Sequence, residues 1–512
     1  MATQANAGAA VFTVASGITW KPMSGLLAGM THGNGLVTAA GYDLDYRITS
    51  LLVQDGATLV SSLSYGYGDG INLTAVNDNV AGANSVSLGY TPANRLGSAS
   101  GPWGSASYTY DAVGNRLNHV VTSGSTTTRV ASYGATTNRL TGMTENAASL
   151  RAYTYDNNGN ILTDTRPGEV FAFTYNKRNR PVSVTRNSVA YATYGYNADE
   201  QLVSRSTAAA GGPLGTVHYV HDLQGHVIAE ANGATGATTR EYIWLTPATG
   251  LDPVDLPIGL VSSGTLHMIH TDHLARPIRV TDATRATVWQ ASYTPFGEPQ
   301  SISGTLALDL RFPGQLFQIE TGLAYNWHRH YDPITGRYTQ PDPLRFVDGP
   351  SIYAYAGSSP FVNVDRDGLE YWPLPGGGGL ELPDGSAKGL WDWWWAPPSC
   401  PAGDYTPTFP PLASVAPKLP NGLVGVQDGK GGRTKGRHNS GPLAPENGGT
   451  GDAQKDFDKL TGGKSGAAPQ GSGYPPGTQI GDNGITIRPG PNGPRIDIPS
   501  NGTKPTETLH YP

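Results

Sequence analysis

Short runs of aromatic and β-branched residues alternate along this chain with clusters of Asp, Asn and Gly. The ten residues "YTYDAVGNRL" at 108–117 return as "YTYDNNGNIL" at 153–162. Tyr153, Thr154 and Tyr155 favour a pleated strand, the run from Asp156 through Gly159 to Asn160 suits a tight turn with positive φ, and Ile161 and Leu162 resume an apolar strand. The unit predicts a β-hairpin. Weaker copies start at Tyr67, Tyr90, Tyr110, Tyr133, Tyr155, Tyr175, Tyr196 and Tyr219, at intervals of 20 to 23 residues, nearly all followed by turn residues such as "TPANRL" or "HDLQGHVI". Such a period predicts an array of hairpins, each burying its apolar face only against the next. The tyrosines are expected to form an aromatic ladder along one face. Propeller blades repeat at about twice this interval, which disfavours a propeller.

Composition sharpens this picture. Only 14% of the 512 residues are charged, while Gly (68) and Pro (40) are abundant, as in a turn-rich β protein followed by a less ordered segment. A net charge of −6 gives no global basic field to recruit nucleic acid or an anionic membrane. The single cysteine, Cys400, excludes an intramolecular disulfide framework and a cysteine-based zinc cluster, and fits assembly in a reducing cytoplasm. The first twenty residues lack the charged start and apolar stretch of a Sec signal, and no run of about 18 apolar residues predicts a membrane span.

The repeats resemble the tyrosine-aspartate (YD) repeats of the Rhs family and its insecticidal-toxin relatives. The resemblance sharpens in "HMIHTDHLARPIRVTDATRATVWQASYTPFGE" (267–298), "RFPGQLFQIETGLAYNWHRHYDPITGRYTQPDPL" (311–344) and "IYAYAGSSPFVNVDRDGL" (352–369), and covers roughly residues 40 to 369. It implies a mainly β fold: a spiral of stacked hairpins forming a hollow shell over 1–260, and a core domain over 261–369 that plugs one end and carries a self-cleavage site. A Gly/Pro-rich linker at 370–450 and a small α+β toxin domain at 451–512 are expected to follow. The resemblance further implies synthesis in the bacterial cytoplasm and delivery to competing cells through a secretion-system component, type VI being one route. A cognate immunity protein is the implied partner, and no cofactor is expected. Family members are generally longer, so this chain is expected to be the C-terminal part of such a system or a shortened member.

Two carboxylates that share a proton place an acid beside a base, which can activate water against an amide. The family's cleavage aspartates map onto Asp342 in "QPDPL" and Asp365 in "VDRDGL", with the scissile bond at Leu369-Glu370, where the composition turns Gly/Pro-rich. Arg366 stands where the family has proline; its charge should oppose the shared-proton state, and Asp367 should favour it. The competing reading is that Asp342, Asp348, Asp365 and Asp367 cap turns. In "HTDH", alternation along a strand would put His270 and Asp272 on one face and His273 on the other, a shell motif rather than a metal site. "WHRH" (Trp327, His328, Arg329, His330) is expected to pack in the plug, and "WDWWW" (391–395) to anchor against the shell wall.

Beyond residue 451, "DAQKDFDKLTGG" predicts a short helix with Asp452 as N-cap, Phe457 and Leu460 on its apolar face and Gly462-Gly463 as its stop. A hairpin around Asp482-Asn483-Gly484 and strands at "RIDIPS" and "ETLHYP" complete a pattern that resembles small microbial ribonucleases. Cleavage of RNA through its 2′-hydroxyl needs an acid, a base and cations, without a metal. His510, Arg488 and Arg495 are the candidates, with Lys455, Lys459 and Lys464 around the helix; RNA is the expected substrate. No metal-dependent nuclease signature or cysteine nucleophile is present. The rival readings are an adhesive repeat protein with an inert tail and a membrane-depolarising cargo.

Overall fold

A computed structural model describes residues 3–374 except 8–9, 23, 69–71, 209–214 and 247–254. Beyond these it describes 380–381, 387–388, 433–434, 437–440, 442–444, 449–461, 465–467, 475, 477–481, 485–489, 493–499 and 506–511. The chain divides into two units, Met1–Ser399 and Cys400–Pro512, each taken by itself. Trp391 to Trp395, Lys464 and the turn at 482–484 lie outside the described residues.

In the first unit, 27 strands from β1 (Thr3–Ala7) to β27 (Pro299–Gly304) form one antiparallel sheet in which strands pair with their neighbours in sequence. The repeat is built around its turns. Oδ1 of Asp43, Asp111, Asp156, Asp222 and Asp272 accepts the backbone N–H four residues on. Oδ2 meets that same residue's side chain: Arg47 (2.7 Å), Asn115 (2.9 Å), Asn160 (2.7 Å), His226 (2.8 Å) or Arg276 (3.0 Å). The residue between them, three after the aspartate, has positive φ; it is Gly114, Gly159 and Gly225 in three turns, which is why Asp-x-x-Gly-Asn is the strongest form of the repeat.

Just before each turn the chain bulges and re-aims a ring. The hydroxyls of Tyr42, Tyr67, Tyr90, Tyr110, Tyr133, Tyr155, Tyr175 and Tyr196 donate to the carbonyls of Leu27, Ile48, Leu73, Leu96, Arg116, Leu140, Ile161 and Pro181 at 2.7–3.0 Å. Each acceptor opens the strand that precedes the donor's own, so every turn is pinned to the turn before it. The expected aromatic ladder is thus a hydrogen-bond ladder: among the described residues no ring contact joins successive members. The expected eighth member is also corrected. Tyr219 points into the core, 5% exposed, and His221 takes the ladder position with Nε2 2.8 Å from the Leu202 carbonyl. Trp244 continues it through Nε1 to Val227 (3.0 Å).

The sheet runs past residue 260, the expected end of the shell, to Gly304. The closing segment then forms a second sheet of β28 (Leu316–Gln318), β29 (Leu323–Asn326), β30 (Arg329–Asp332) and β31 (Arg337–Tyr338), followed by the pair β32 (Asn363–Val364) and β33 (Trp372–Pro373). Its Leu308, Leu316, Leu323 and Tyr325 join one core with Tyr194, Leu202, Tyr219 and Leu260 of the large sheet. Polar latches fix the register between the two. Arg337 donates to Asn115 (3.0 Å), Tyr353 to the Gly159 carbonyl (2.8 Å) and Tyr194 to Glu320 (2.8 Å). A short pair, β34 (Leu380–Glu381) and β35 (Ala387–Lys388), follows.

In the second unit, helix α1 (Ala453–Thr461) is capped by Asp452, whose Oδ1 accepts from the N–H of Gln454 and Lys455. Its Phe457 is buried with Ile487, Ile496, Ile498 and Leu509 of the sheet β36 (Arg433–Thr434), β37 (Arg437–Ser440), β42 (Thr506–His510), β41 (Arg495–Ile498), β40 (Thr486–Arg488), β39 (Gln479–Gly481) and β38 (Ser465–Ala467). β37 pairs parallel to β42, and Leu443 is 2% exposed in the same core. Residues expected as linker therefore belong to this fold, which begins upstream of 451.

Tyr155→Phe keeps the ring but leaves the Leu140 carbonyl without its donor. The urea midpoint should fall by an amount equivalent to about 1 kcal/mol, whereas Tyr155→Ala should cost roughly 3–5 kcal/mol. An unchanged midpoint in Tyr155→Phe would show that the ladder carries no stability.

Candidate functional site

The sequence-predicted aspartates come together around one guanidinium. β30 carries Arg329 into the interior, 1% exposed, and its three nitrogens are divided among three partners. Nη1 meets Oδ2 of Asp342 at 2.9 Å, Nη2 meets Oδ2 of Asp365 at 3.0 Å, and Nε donates to the Gly368 carbonyl at 2.6 Å. The guanidinium lies over the Tyr338 ring, 3.7 Å from its centroid. Tyr338 in turn donates to Asp365 Oδ2 (2.7 Å) and accepts from Asn326 Nδ2 (2.7 Å), which also reaches the Asp365 carbonyl (2.9 Å).

Both aspartates sit at turns. Asp342 Oδ1 accepts from Leu344 N–H (2.7 Å), and Asp365 Oδ1 from Gly368 (2.8 Å) and Leu369 (3.2 Å). The Leu369 N–H also meets Asp367 Oδ1 (3.0 Å), and Asp348 holds the N–H of Tyr371 (3.2 Å). The bond between Leu369 and Glu370 is therefore flanked by backbone groups fixed on either side. Gly368 has φ 72°, and a Cβ there would lie 2.4 Å from the Asn326 carbonyl, so the close approach requires glycine.

Burial pushes the Asp342 carboxyl up to about 6, against the pull of Arg329. Burial, reinforced by the neighbouring Asp365, pushes Asp367 to about 6 as well. Burial lowers His328 to about 4 and His330 to about 3, so both imidazoles are neutral near pH 7. The expected sharing of one proton between Asp342 and Asp365 meets a physical obstacle: Arg329 binds an oxygen of each. Arg366 is exposed, its charge lowers Asp367, and its carbonyl packs against Gly314, where a Cβ would lie 1.7 Å away.

Arg329, Tyr338 and Asn326 were not singled out from sequence as site residues. The available signal was an arginine inside a strand whose neighbours are aromatic or imidazole, within a segment rich in aspartate. The rest of "WHRH" does pack: Trp327 donates to the Asp199 carbonyl (2.9 Å) and stacks on His328. In "HTDH" strict alternation fails, because the strand ends at Thr271 and Asp272 opens a turn closed by Arg276 at 2.7 Å. His270 and His273 then both line a cavity with His32.

In the second unit Arg488 pairs in register with Arg495, and Arg495 with His510, so the three form one row across β40, β41 and β42. In the adjacent row Asp497 binds Arg488 Nε (2.6 Å) and Thr508 Oγ1 (2.6 Å). Burial, then the two arginines, lower the His510 imidazole below its ordinary value. Lys455 and Lys459 ride on α1, which packs against the opposite, isoleucine-bearing face, so the structure keeps them from this row.

Residues 106–238 and 255–349 match the family described as teneurin YD-shell. Putative uncharacterized protein YibJ of Escherichia coli is 37% identical over 23% of this chain and 49% of its own length. Toxin protein Tse5 of Pseudomonas aeruginosa is 27% identical over 52% of this chain and 24% of its own. The tRNA3(Ser)-specific nuclease WapA of Bacillus spizizenii is 27% identical over 52% and 11%. The chain thus spans less than half the length of these relatives. Among solved structures, the Photorhabdus luminescens Tc holotoxin pore superposes with a TM-score of 0.57 at 17% identity, covering 70% of this chain and 19% of that one. The fold is that of a YD-shell, and over these residues the chain is similar to the Rhs/YD-shell family.

Because Asp342 is raised in the folded state from 3.8 to about 6, its contribution to stability is full below pH 3.8 and is lost as pH rises through about 6. Asp342→Asn cannot ionise and should flatten the fall in urea midpoint between about pH 4 and 7, on the order of 2 kcal/mol. Asp367 titrates in the same window and leaves a residual slope. An equal pH dependence in both proteins would refute the buried-carboxyl assignment.

Proposed function

We propose that this chain is a polymorphic toxin, or the C-terminal part of one, whose β-shell holds a C-terminal effector and whose core segment cuts the chain between Leu369 and Glu370. The observation that carries the reading is the grouping of Asp342, Asp365 and the Gly368 carbonyl on Arg329, one residue from that bond. In the reaction, a carboxylate removes a proton from water as its oxygen bonds to the Leu369 carbonyl carbon. The C–N bond breaks, the proton passes to the Glu370 nitrogen, and the products are an acid at Leu369 and an amine at Glu370. Delivery to a competing cell and a cognate immunity protein follow from the same reading, supported by the similarity to Tse5 and WapA.

Intact-mass analysis should find wild type as fragments 1–369 and 370–512, and Asp342→Asn or Asp365→Asn as one full-length chain. If wild type is uncut, Arg366 in place of proline is the first residue to revert: Arg366→Pro should restore cutting, and failure there rejects autoproteolysis.

The effector we read as a metal-independent ribonuclease, on the observation that Arg488, Arg495 and His510 share one row. A neutral His510 is suited to take the 2′-hydroxyl proton, and the arginines to stabilise the phosphorane. Fragment 370–512 should degrade RNA in EDTA, with His510→Ala slower by roughly 10² to 10⁴. Growth arrest with RNA intact would keep the toxin and reject the ribonuclease.

A further inference from the structure

Asp342 and Asp365 are chemically identical residues in unlike surroundings. Asp365 accepts four hydrogen bonds: Arg329 Nη2 and Tyr338 Oη at Oδ2, and the Gly368 and Leu369 N–H groups at Oδ1. A carboxylate has about four lone-pair sites, so a water molecule finds none open there. Two of those four donors belong to the backbone that leads into the bond to be cut. Asp342 accepts two, from Leu344 N–H and Arg329 Nη1, and keeps capacity for a third partner. It is itself 5% exposed.

We infer that the two aspartates have unlike roles, set by Arg329: Asp365 is a positioning residue that holds residues 368–369 in place, and Asp342 alone exchanges the proton with water. Arg329 is the second positioning residue. Its fork spaces the carboxylates, and its Nε holds the Gly368 carbonyl. The proton leaves water for Asp342 as the water oxygen bonds to the Leu369 carbon, and returns to the Glu370 nitrogen as the C–N bond breaks. Asp342 is thus regenerated as carboxylate, and water is the only co-reactant. The charged groups bearing on Asp342 are Arg329, which lowers its proton affinity, and Asp365, which raises it; Asp348 acts on the same guanidinium. The inference rests on the cleavage reading above.

The test follows the rate of conversion of the full chain into its two fragments by intact mass, from pH 4.5 to 8.5, starting from urea-denatured full-length chain diluted into each buffer. Circular dichroism confirms the sheet at each pH. Wild type should show a profile with one limb: cutting is lost as pH falls through about 6, the value to which burial brings Asp342, and Asp367, which titrates in the same window, acts on that same limb. Arg329→Gln removes a nearby positive charge, so the midpoint should rise by about one pH unit or more as the rate falls at least tenfold. Arg329→Lys should slow cutting with little change in midpoint. Tyr338→Phe keeps the ring over the guanidinium and removes one donor from Asp365, so it should slow cutting and leave the midpoint in place even if Arg329→Gln does not fold. A bell-shaped wild-type profile with two ionisations, a midpoint moved by Tyr338→Phe, or a folded Arg329→Gln with the wild-type midpoint each overturns the division of roles while leaving cleavage intact. A wild-type chain uncut at every pH overturns the cleavage reading itself, and this inference with it.

Discussion

The architecture depends on one bond repeated: a ring hydroxyl at the end of one strand donating to the first carbonyl of the strand before it. A long antiparallel sheet with two-residue periodicity is vulnerable to slippage, because a shift of one residue turns every side chain to the wrong face. Here the bulge before each turn and the donor at its tip fix the register once per repeat, from Tyr42 to Tyr196. His221 and Trp244 satisfy the same carbonyl geometry with N–H donors, so the requirement is for a flat ring with a donor at the right reach rather than for tyrosine. Each bond is individually modest. Register comes from their regular spacing.

The closing segment uses related chemistry under a different constraint. Asp342 and Asp365 hold backbone N–H groups through one oxygen, as the repeat aspartates do. In several repeats the second oxygen meets the residue four positions on; here it meets Arg329, far away in sequence and fully buried. Burying one cation among carboxylates is costly unless every donor is matched. Nε, Nη1 and Nη2 are all engaged, and Tyr338 and Asn326 extend the network around Asp365. The segment between Gly368 and Tyr371 is thereby held by charge-assisted contacts rather than by a long sheet ladder.

The hairpin period was legible because both of its parts, the aromatic ending and the Asp-x-x-Gly turn, are local. Tyr219 was misplaced for the same reason: it looks like the repeat tyrosine, and only the hydrogen-bond partner two residues on, at His221, distinguishes them. Asp342 and Asp365 were legible through their motif, but Arg329 was not, since its role lies in contacts with residues up to 39 positions away. The upstream limit of the C-terminal fold was hidden likewise. β37 has little apolar character of its own and is recruited by parallel pairing with the last strand, a contact across some 70 residues that no local pattern announces.

The ring-to-carbonyl bonds all point backwards along the chain. Tyr175 seeks Ile161, Tyr155 seeks Leu140, and each acceptor has already been synthesised when its donor appears. A nascent chain can therefore lock each hairpin onto the last as it leaves the ribosome, without waiting for any later strand. Residues 305–374, whose latches reach back to Asn115, Gly159 and Tyr194, emerge after the strands that receive them. The order of translation thus permits the same order of assembly, and the segment beyond residue 374 is made after the strands of the sheet.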